Sequence, residues 1–126
     1  LNPNKLHISI NHFLCNNAFV FNNPNEGGWN RYNSGDRTHS VAQKKENGYG
    51  LYDMSGNVRE WCYDWFGLGI SSSTADTGAS SGSNRVQRGG SWLDLASSCA
   101  VSYRGVNDPN SRSNIFGFRV VRSSSK

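Results

Sequence analysis

Apolar residues fall along this chain in short bursts rather than long periodic runs. Leu6-His7-Ile8-Ser9-Ile10 and Ala18-Phe19-Val20-Phe21 flank a turn at Cys15-Asn16-Asn17 and predict two short strands, with Pro24 closing the segment. Residues 27–50 are amphipathic but broken by Gly, and they end in Asn47-Gly48-Tyr49-Gly50, a turn sequence. Within residues 49–66, Trp61 and Trp65 stand four apart with Tyr52 and Phe66 nearby, so a short helical turn and an irregular strand would each bury them together. Residues 67–84 are mostly Ser, Gly, Thr and Ala and predict an exposed flexible loop. Arg85-Val86-Gln87-Arg88 alternates polar with apolar and runs into Gly89-Gly90-Ser91-Trp92, a strand that stops at a tight corner. Gly117-Phe118-Arg119-Val120-Val121-Arg122 alternates again and predicts a final strand inside the sheet. Between the corner and that strand the residues follow neither period.

A chain of 126 residues is about one domain long and can bury roughly two thirds of its unfolded surface. Only 35% of it is hydrophobic, and 14 Gly with many Asn and Ser favour turns over long helices, so four Trp, five Tyr and six Phe must supply most of the core. The formal charge of +4 is scattered, with Lys44-Lys45 the one adjacent pair; without a concentrated basic face or a stacking motif, nucleic acid is excluded as a partner. No segment is long and apolar enough for a transmembrane span, and residues 1–20 are too broken by Asn and His for a secretory leader. The chain reads as soluble, or as the processed part of an exported protein. Cys15, Cys62 and Cys99 are too few for a disulfide framework and are not spaced as a zinc site. One bridge, such as Cys62 to Cys99, and buried unpaired thiols both remain open. His7, His12 and His39 lack metal-ligand spacing.

Four phrases, Gly48-Tyr-Gly-Leu-Tyr-Asp-Met-Ser-Gly-Asn-Val-Arg-Glu-Trp61, Arg88-Gly-Gly-Ser-Trp92, Tyr103-Arg104 and Gly117-Phe-Arg119, stand in an order and spacing that resemble the formylglycine-generating enzyme family, also known as sulfatase-modifying factors. The resemblance runs from about residue 38 to residue 122. It implies an α+β, C-type-lectin-like fold with a small twisted antiparallel sheet and much irregular structure. Residues 1–28 stay unassigned, and 29–126 read as the C-terminal part of such a domain, with a variable region at about 89–121. The family's enzymes oxidise a substrate cysteine with copper held by two thiolates, since soft sulfur selects Cu(I). Matching positions here carry Asp94 and Cys99, so neither copper nor catalysis is expected; a copper-dependent, cysteine-oxidising enzyme is the alternative. The family also binds calcium, which maps onto the Asp53 side chain, the Gly56 and Val58 carbonyls and the Glu60 carboxylate, an oxygen set of the kind calcium takes. A competing arrangement pairs Glu60 with Arg104 or Arg119 and holds no ion.

The chain resembles most a branch of this fold, the variable proteins of diversity-generating retroelements of the treponemal type. Their mutagenic reverse transcription scrambles adenines, mainly in Asn codons ending in a pyrimidine, and such codons cannot encode Lys, Glu, Gln, Met or Trp. Residues 93–118 contain none of those five. Leu93, Asp94, Leu95, Ser98, Gly105, Val106, Asn107, Ser111, Ser113, Asn114 and Ile115 are each reachable from Asn by changing only the two adenines, and Tyr103 fits too. These twelve residues are the expected ligand contacts, with Tyr103 as aromatic anchor and Asp94, Asn107 and Asn114 as adaptable polar contacts. Trp92, Ala96, Cys99, Val101, Arg104, Pro109, Arg112, Gly117, Phe118 and Arg119 would be scaffold. By analogy with surface-displayed variable lipoproteins, the partner is a variable protein or cell-surface ligand and the location is the cell surface or extracellular space. If the segment were instead an ordinary loop, Leu93, Leu95 and Ile115 would be buried and no common face would gather these positions.

Overall fold

A computed structural model describes residues 23–67 and 79–120. The two bursts predicted as N-terminal strands, most of the loop at 67–84 and the end of the last predicted strand lie outside the described residues. The first described element is a single helical turn, α1 (Pro24–Gly27), whose cap Asn23 accepts the Asn25 amide on its side chain at 3.0 Å. β1 (Gly28–Trp29) pairs in parallel with β2 (Ser55–Gly56). These two strands approach so closely that a Cβ on Gly28 would lie 2.0 Å from the Ser55 carbonyl oxygen, and one on Gly56 would lie 2.1 Å from that of Trp29. Only glycine fits at either crossing.

The main sheet has the order β5-β4-β3-β6, formed by β3 (Arg59–Trp65), β4 (Arg85–Arg88), β5 (Gly105–Asn107) and β6 (Phe116–Gly117). β5, β4 and β3 are antiparallel, and β6 joins β3 in parallel with Arg59 opposite Phe116. The mixed edge thus departs from a purely antiparallel sheet. Trp61 and Trp65 lie on a strand rather than a helical turn, and the register with β4 shifts between them. Trp61 meets Phe116 edge-on at 5.5 Å, while the Arg85 guanidinium stands 3.5 Å over the Trp65 ring. β4 occupies Arg85–Arg88 as its alternation predicts, and Gly89 and Gly90 behind it both have positive φ.

The last strand is shorter than its alternation predicts. Pairing ends at Gly117, and Phe118 and Val120 are exposed. Arg119 turns inward to the Glu60 carboxylate and to the carbonyls of Tyr52 and Asp53, which draws the backbone off the ladder.

Among the described residues the buried apolar side chains are few, Cys62, Val86 and Cys99, whereas Asn30, Ser34, Asn47, Asp53, Asn57, Gln87 and Ser91 are buried polar groups. Side-chain amides therefore do much of the holding. Asn47 closes its predicted turn by accepting the Tyr49 and Leu51 amides at 2.9 and 3.0 Å. Asn57 clamps His39 through both its amide and its carbonyl, and the His39 ring stacks on Trp29 at 3.7 Å.

Candidate functional site

The order of strands brings the irregular segments together. Because Glu60 faces Arg88, the end of β4 lies beside the start of β3; Gly105 faces Gln87 and Phe116 faces Arg59, so β5 and β6 begin at that same end of the sheet. The stretch 89–104 therefore leaves and returns at one place, and residues 113–115 arrive there. Leu93, Asp94, Leu95, Ser98, Tyr103, Ser113, Asn114 and Ile115 gather at this end. Gly105, Val106 and Asn107 run instead along edge strand β5, with Ser111 beyond it.

Backbone contacts pin these segments. The Trp92 amide donates to the Asn57 carbonyl and the Arg31 amide to that of Asp94, each at 2.9 Å, and the Arg59 amide donates to the Ile115 carbonyl at 2.8 Å. Arg88 reaches across with Nη1 to the carbonyls of Val101 and Tyr103 at 3.1 and 2.9 Å. A single 3-10 turn (Ala96–Cys99) packs Cys99 under Gly90, where an added Cβ would lie 2.6 Å from the sulfur. With Gly90 at φ 68°, this corner admits no side chain.

On this frame Leu93 and Leu95 are each 46% exposed, and Tyr103 and Val106 are exposed as well. Ser111, Ser113 and Asn114 are exposed, while Ser98, Asn107 and Ile115 are half-buried. Asn107 donates to the Gln87 side-chain oxygen at 3.0 Å, so part of its polarity is satisfied internally. Two of the twelve positions do not present a side chain in the way the sequence reading expects. Gly105 is buried against Gln87, because β5 pairs with β4 there. Asp94 points inward between the two exposed leucines.

Asp94 is held by a partner that the sequence reading misses. Arg59 donates from Nε to Asp94 Oδ2 at 2.8 Å and from Nη2 to Oδ1, and the Ser91 hydroxyl donates to Oδ2 at 2.6 Å. Burial alone would raise the Asp94 pKa, but the hydrogen bonds from Arg59 and Ser91 and the Arg59 charge outweigh it, and the carboxyl ends below its ordinary value. The bond to Asp94 in turn raises the Arg59 pKa against its own burial. Cys99 lies in the same cluster, and burial followed by the Asp94 charge pushes its thiol up to about 11. One guanidinium-neutralised carboxylate beside a protonated thiol does not fit a copper centre that needs two thiolates. Cys99 is a free thiol and so is not bridged to Cys62.

The expected calcium ligands do not fit a cation as they stand either. Arg119 Nε donates to both Glu60 oxygens at 3.0 Å and Nη2 to Oε1 at 2.7 Å, and Nη2 also reaches the Tyr52 and Asp53 carbonyls at 3.1 Å. The bond to Glu60 raises the Arg119 pKa, so a fixed positive charge covers the carboxylate that calcium would use. Of the two arginines open as partner for Glu60, Arg104 lies instead over the Phe66 ring. Asp53, at φ 57°, accepts the Ala42 amide on Oδ2 at 2.7 Å, and its buried Oδ1 has no partner among the described residues. Val58 packs at Gly117, and Gly56 is held by its amide to the Gly89 carbonyl at 2.6 Å. Among the described residues no three His, Cys, Asp or Glu side chains come together as a metal site.

Comparison with known proteins gives this surface a context. The sulfatase-modifying factor enzyme 1-like domain matches residues 15–124, reaching into the stretch that the sequence alone leaves unassigned. Chaperone protein LppX of Paenibacillus barcinonensis is 35% identical over 119 residues, covering 81% of this chain and 40% of that protein. The formylglycine-generating enzyme of Streptomyces coelicolor is 43% identical over 90 residues, covering 67% of this chain and 29% of the enzyme. Among solved structures, Treponema denticola variable protein 1 superposes with a TM-score of 0.67 at 45% identity, covering 75% of this chain and 35% of that one. The chain thus spans less than half the length of each of these relatives.

Proposed function

The chain belongs to the sulfatase-modifying factor enzyme 1-like family, with its C-type-lectin-like α+β fold, and we propose that within it this domain is a non-catalytic display protein whose C-terminal surface, diversified by a retroelement, binds protein or cell-surface ligands. The observation that carries this reading is the placement of Leu93 and Leu95, each 46% exposed, on either side of an Asp94 locked into the fold. A single exposed leucine is ordinary, but two of them with the exposed Tyr103 on segments that meet at one end of the sheet are what an apolar contact surface would be made of. The frame beneath suits variation, because loops anchored on a rigid sheet change sequence without unfolding the core. Tyr103 supplies a large amphipathic contact beside small adaptable neighbours, the residue mix of antibody-like paratopes. The likeness to Treponema denticola variable protein 1 supports the variable-protein reading, and placement at the cell surface or outside the cell is proposed as part of that reading.

Sequencing of the DNA around the coding region tests this reading. A near-identical template repeat differing at adenines of the codons for 93–115, beside a reverse transcriptase gene, is the expected result, and its absence would overturn the diversification. The kinship with the Streptomyces enzyme and the retained Cys99 favour a second reading, a copper-dependent cysteine oxidase. Thiol-dependent oxygen uptake that requires Cu(I) and is lost in Cys99→Ser would establish it. The Arg59–Asp94 pair argues against that outcome.

A further inference from the structure

The surface at this end of the sheet is not made of the C-terminal segment alone. The turn at 31–34 runs alongside residues 92–94: the Arg31 amide donates to the Asp94 carbonyl at 2.9 Å, and the Ser34 hydroxyl donates to the Trp92 carbonyl at 3.0 Å. This lays the backbone of the turn that carries Tyr32 along that of residues 92–94, though the chain separates Tyr32 from Leu93 by about sixty residues. Tyr32 is 71% exposed. Its backbone, in contrast, is fixed by a buried amide network. Asn30 accepts the Tyr32 amide on its side chain at 2.9 Å and the Ser34 amide on its carbonyl at 2.9 Å, while Asn33 accepts the Asn30 amide on its side chain at 2.8 Å. Asn33 also donates to the Gly28 carbonyl at 3.0 Å, and Asn30 to the Asn25 side chain at 2.8 Å. With its backbone already fixed, Tyr32 has only its two side-chain torsions to order on binding, a low cost for the area an aromatic can bury.

We infer that Arg31 and Tyr32 form the unvarying flank of the ligand surface, and that this flank takes a protein segment presenting a carboxylate beside an apolar side chain. The inference rests on the display reading and adds to it a fixed partner class. The apolar half of the match comes from Tyr32 with Leu93 and Leu95. The charge comes from Arg31, which is exposed, whereas Asp94, the one acid among the diversified positions, is already neutralised by Arg59. The turn's own acid, Asp36, is followed directly by Arg37, so the turn stays net positive. The scattered overall charge of +4 does not oppose an acidic partner, and the local positive charge of Arg31 is what the flank offers it.

The test uses the full chain, diversified by codon mutagenesis at Leu93, Leu95, Tyr103, Val106, Ser113 and Asn114 and selected in parallel against ovalbumin, an acidic probe, and hen lysozyme, a basic one. Binders to ovalbumin are expected in clear excess. In those binders Tyr32→Ala and Arg31→Ala should each weaken binding at least about tenfold, while Tyr32→Phe, which keeps the ring, stays within about threefold. Tyr63→Ala, an exposed tyrosine in the half of β3 away from this face, should leave binding unchanged. Thermal melts confirm that each variant folds. Binders that tolerate Tyr32→Ala within about twofold, or equal recovery on both probes, would overturn the fixed flank while leaving the display surface standing. Failure to recover binders on either probe would remove the display surface, and the flank with it.

Discussion

Arg59 grips Asp94 with two parallel hydrogen bonds across 35 residues of chain, and the side chains of both are largely withdrawn from water. This fork ties the first residue of β3 to the loop that follows the Gly89-Gly90 corner. It works as a clasp between the sheet and that loop. Removing one partner leaves the other charge uncompensated in a partly desolvated place. Asp94→Asn is therefore expected to lower stability by about 1–2 kcal/mol, read in urea melts as a lower midpoint with an unchanged slope. Because the folded-state pKa of Asp94 is depressed, the contribution of the pair is fully present above the ordinary carboxyl value of about 4 and is lost as pH falls through the lower folded value. Wild type and Asp94→Asn should converge in stability in strong acid; a constant gap down to about pH 2 would contradict the assignment.

Cys99 gives a second, chemical readout of the same cluster. With its thiol pushed up to about 11 and its sulfur buried, its thiolate fraction at pH 8 is about a hundredfold lower than that of an ordinary cysteine. Peptide-resolved alkylation by iodoacetamide at pH 8 should therefore label Cys99 at least about a hundredfold more slowly in the native chain than after unfolding. Rapid native labelling would show a reactive thiol and reopen the catalytic alternative.

Arg119 and Glu60 make a prediction about calcium. The guanidinium covers both carboxylate oxygens and two neighbouring carbonyls, so millimolar calcium should leave the melting temperature of the wild-type chain unchanged within about 1 °C. A calcium-dependent rise in melting temperature, removed by EDTA, would show that the ion displaces Arg119 and that the ligand set Asp53, Gly56, Val58 and Glu60 operates after all.

The parts of this fold that local residues determine could be read from the sequence. The Asn47 turn, the β4 strand and the glycine corner each depend on neighbours within a few positions, and all three stand where the pattern puts them. What depends on distant partners could not be read in the same way. Trp61 and Trp65 suited a helix or a strand until β4 supplied the ladder, and although Arg119 was one of two candidate partners for Glu60, the alternation of residues 117–122 did not show that this pairing, 59 residues apart, would end the strand at Gly117. Arg59 was hidden for the same reason, since its meaning comes from Asp94. The flank at Arg31 and Tyr32 was hidden because the reciprocal Asn30 and Asn33 side-chain bonds that build its turn also occur in ordinary surface loops.

A display surface should separate tolerance from stability residue by residue. Leu93 and Leu95 lie half in water and flank a backbone held by Arg31, Asn57 and Ser91 rather than by their own side chains. Replacing either with Asn removes little buried area, so each is expected to change stability by less than about 0.5 kcal/mol. Val86, buried in the middle of β4, gives the contrast: Val86→Ala leaves a cavity against the face of the central strand and should cost about 2 kcal/mol. Guanidinium melts of the three variants, run beside Asp94→Asn, then sort the loop into two classes, with the leucines free to change and the acid between them fixed. If Leu93→Asn or Leu95→Asn destabilises as much as Val86→Ala, the leucines are core rather than contact. The irregular stretch would then be an ordinary packed loop.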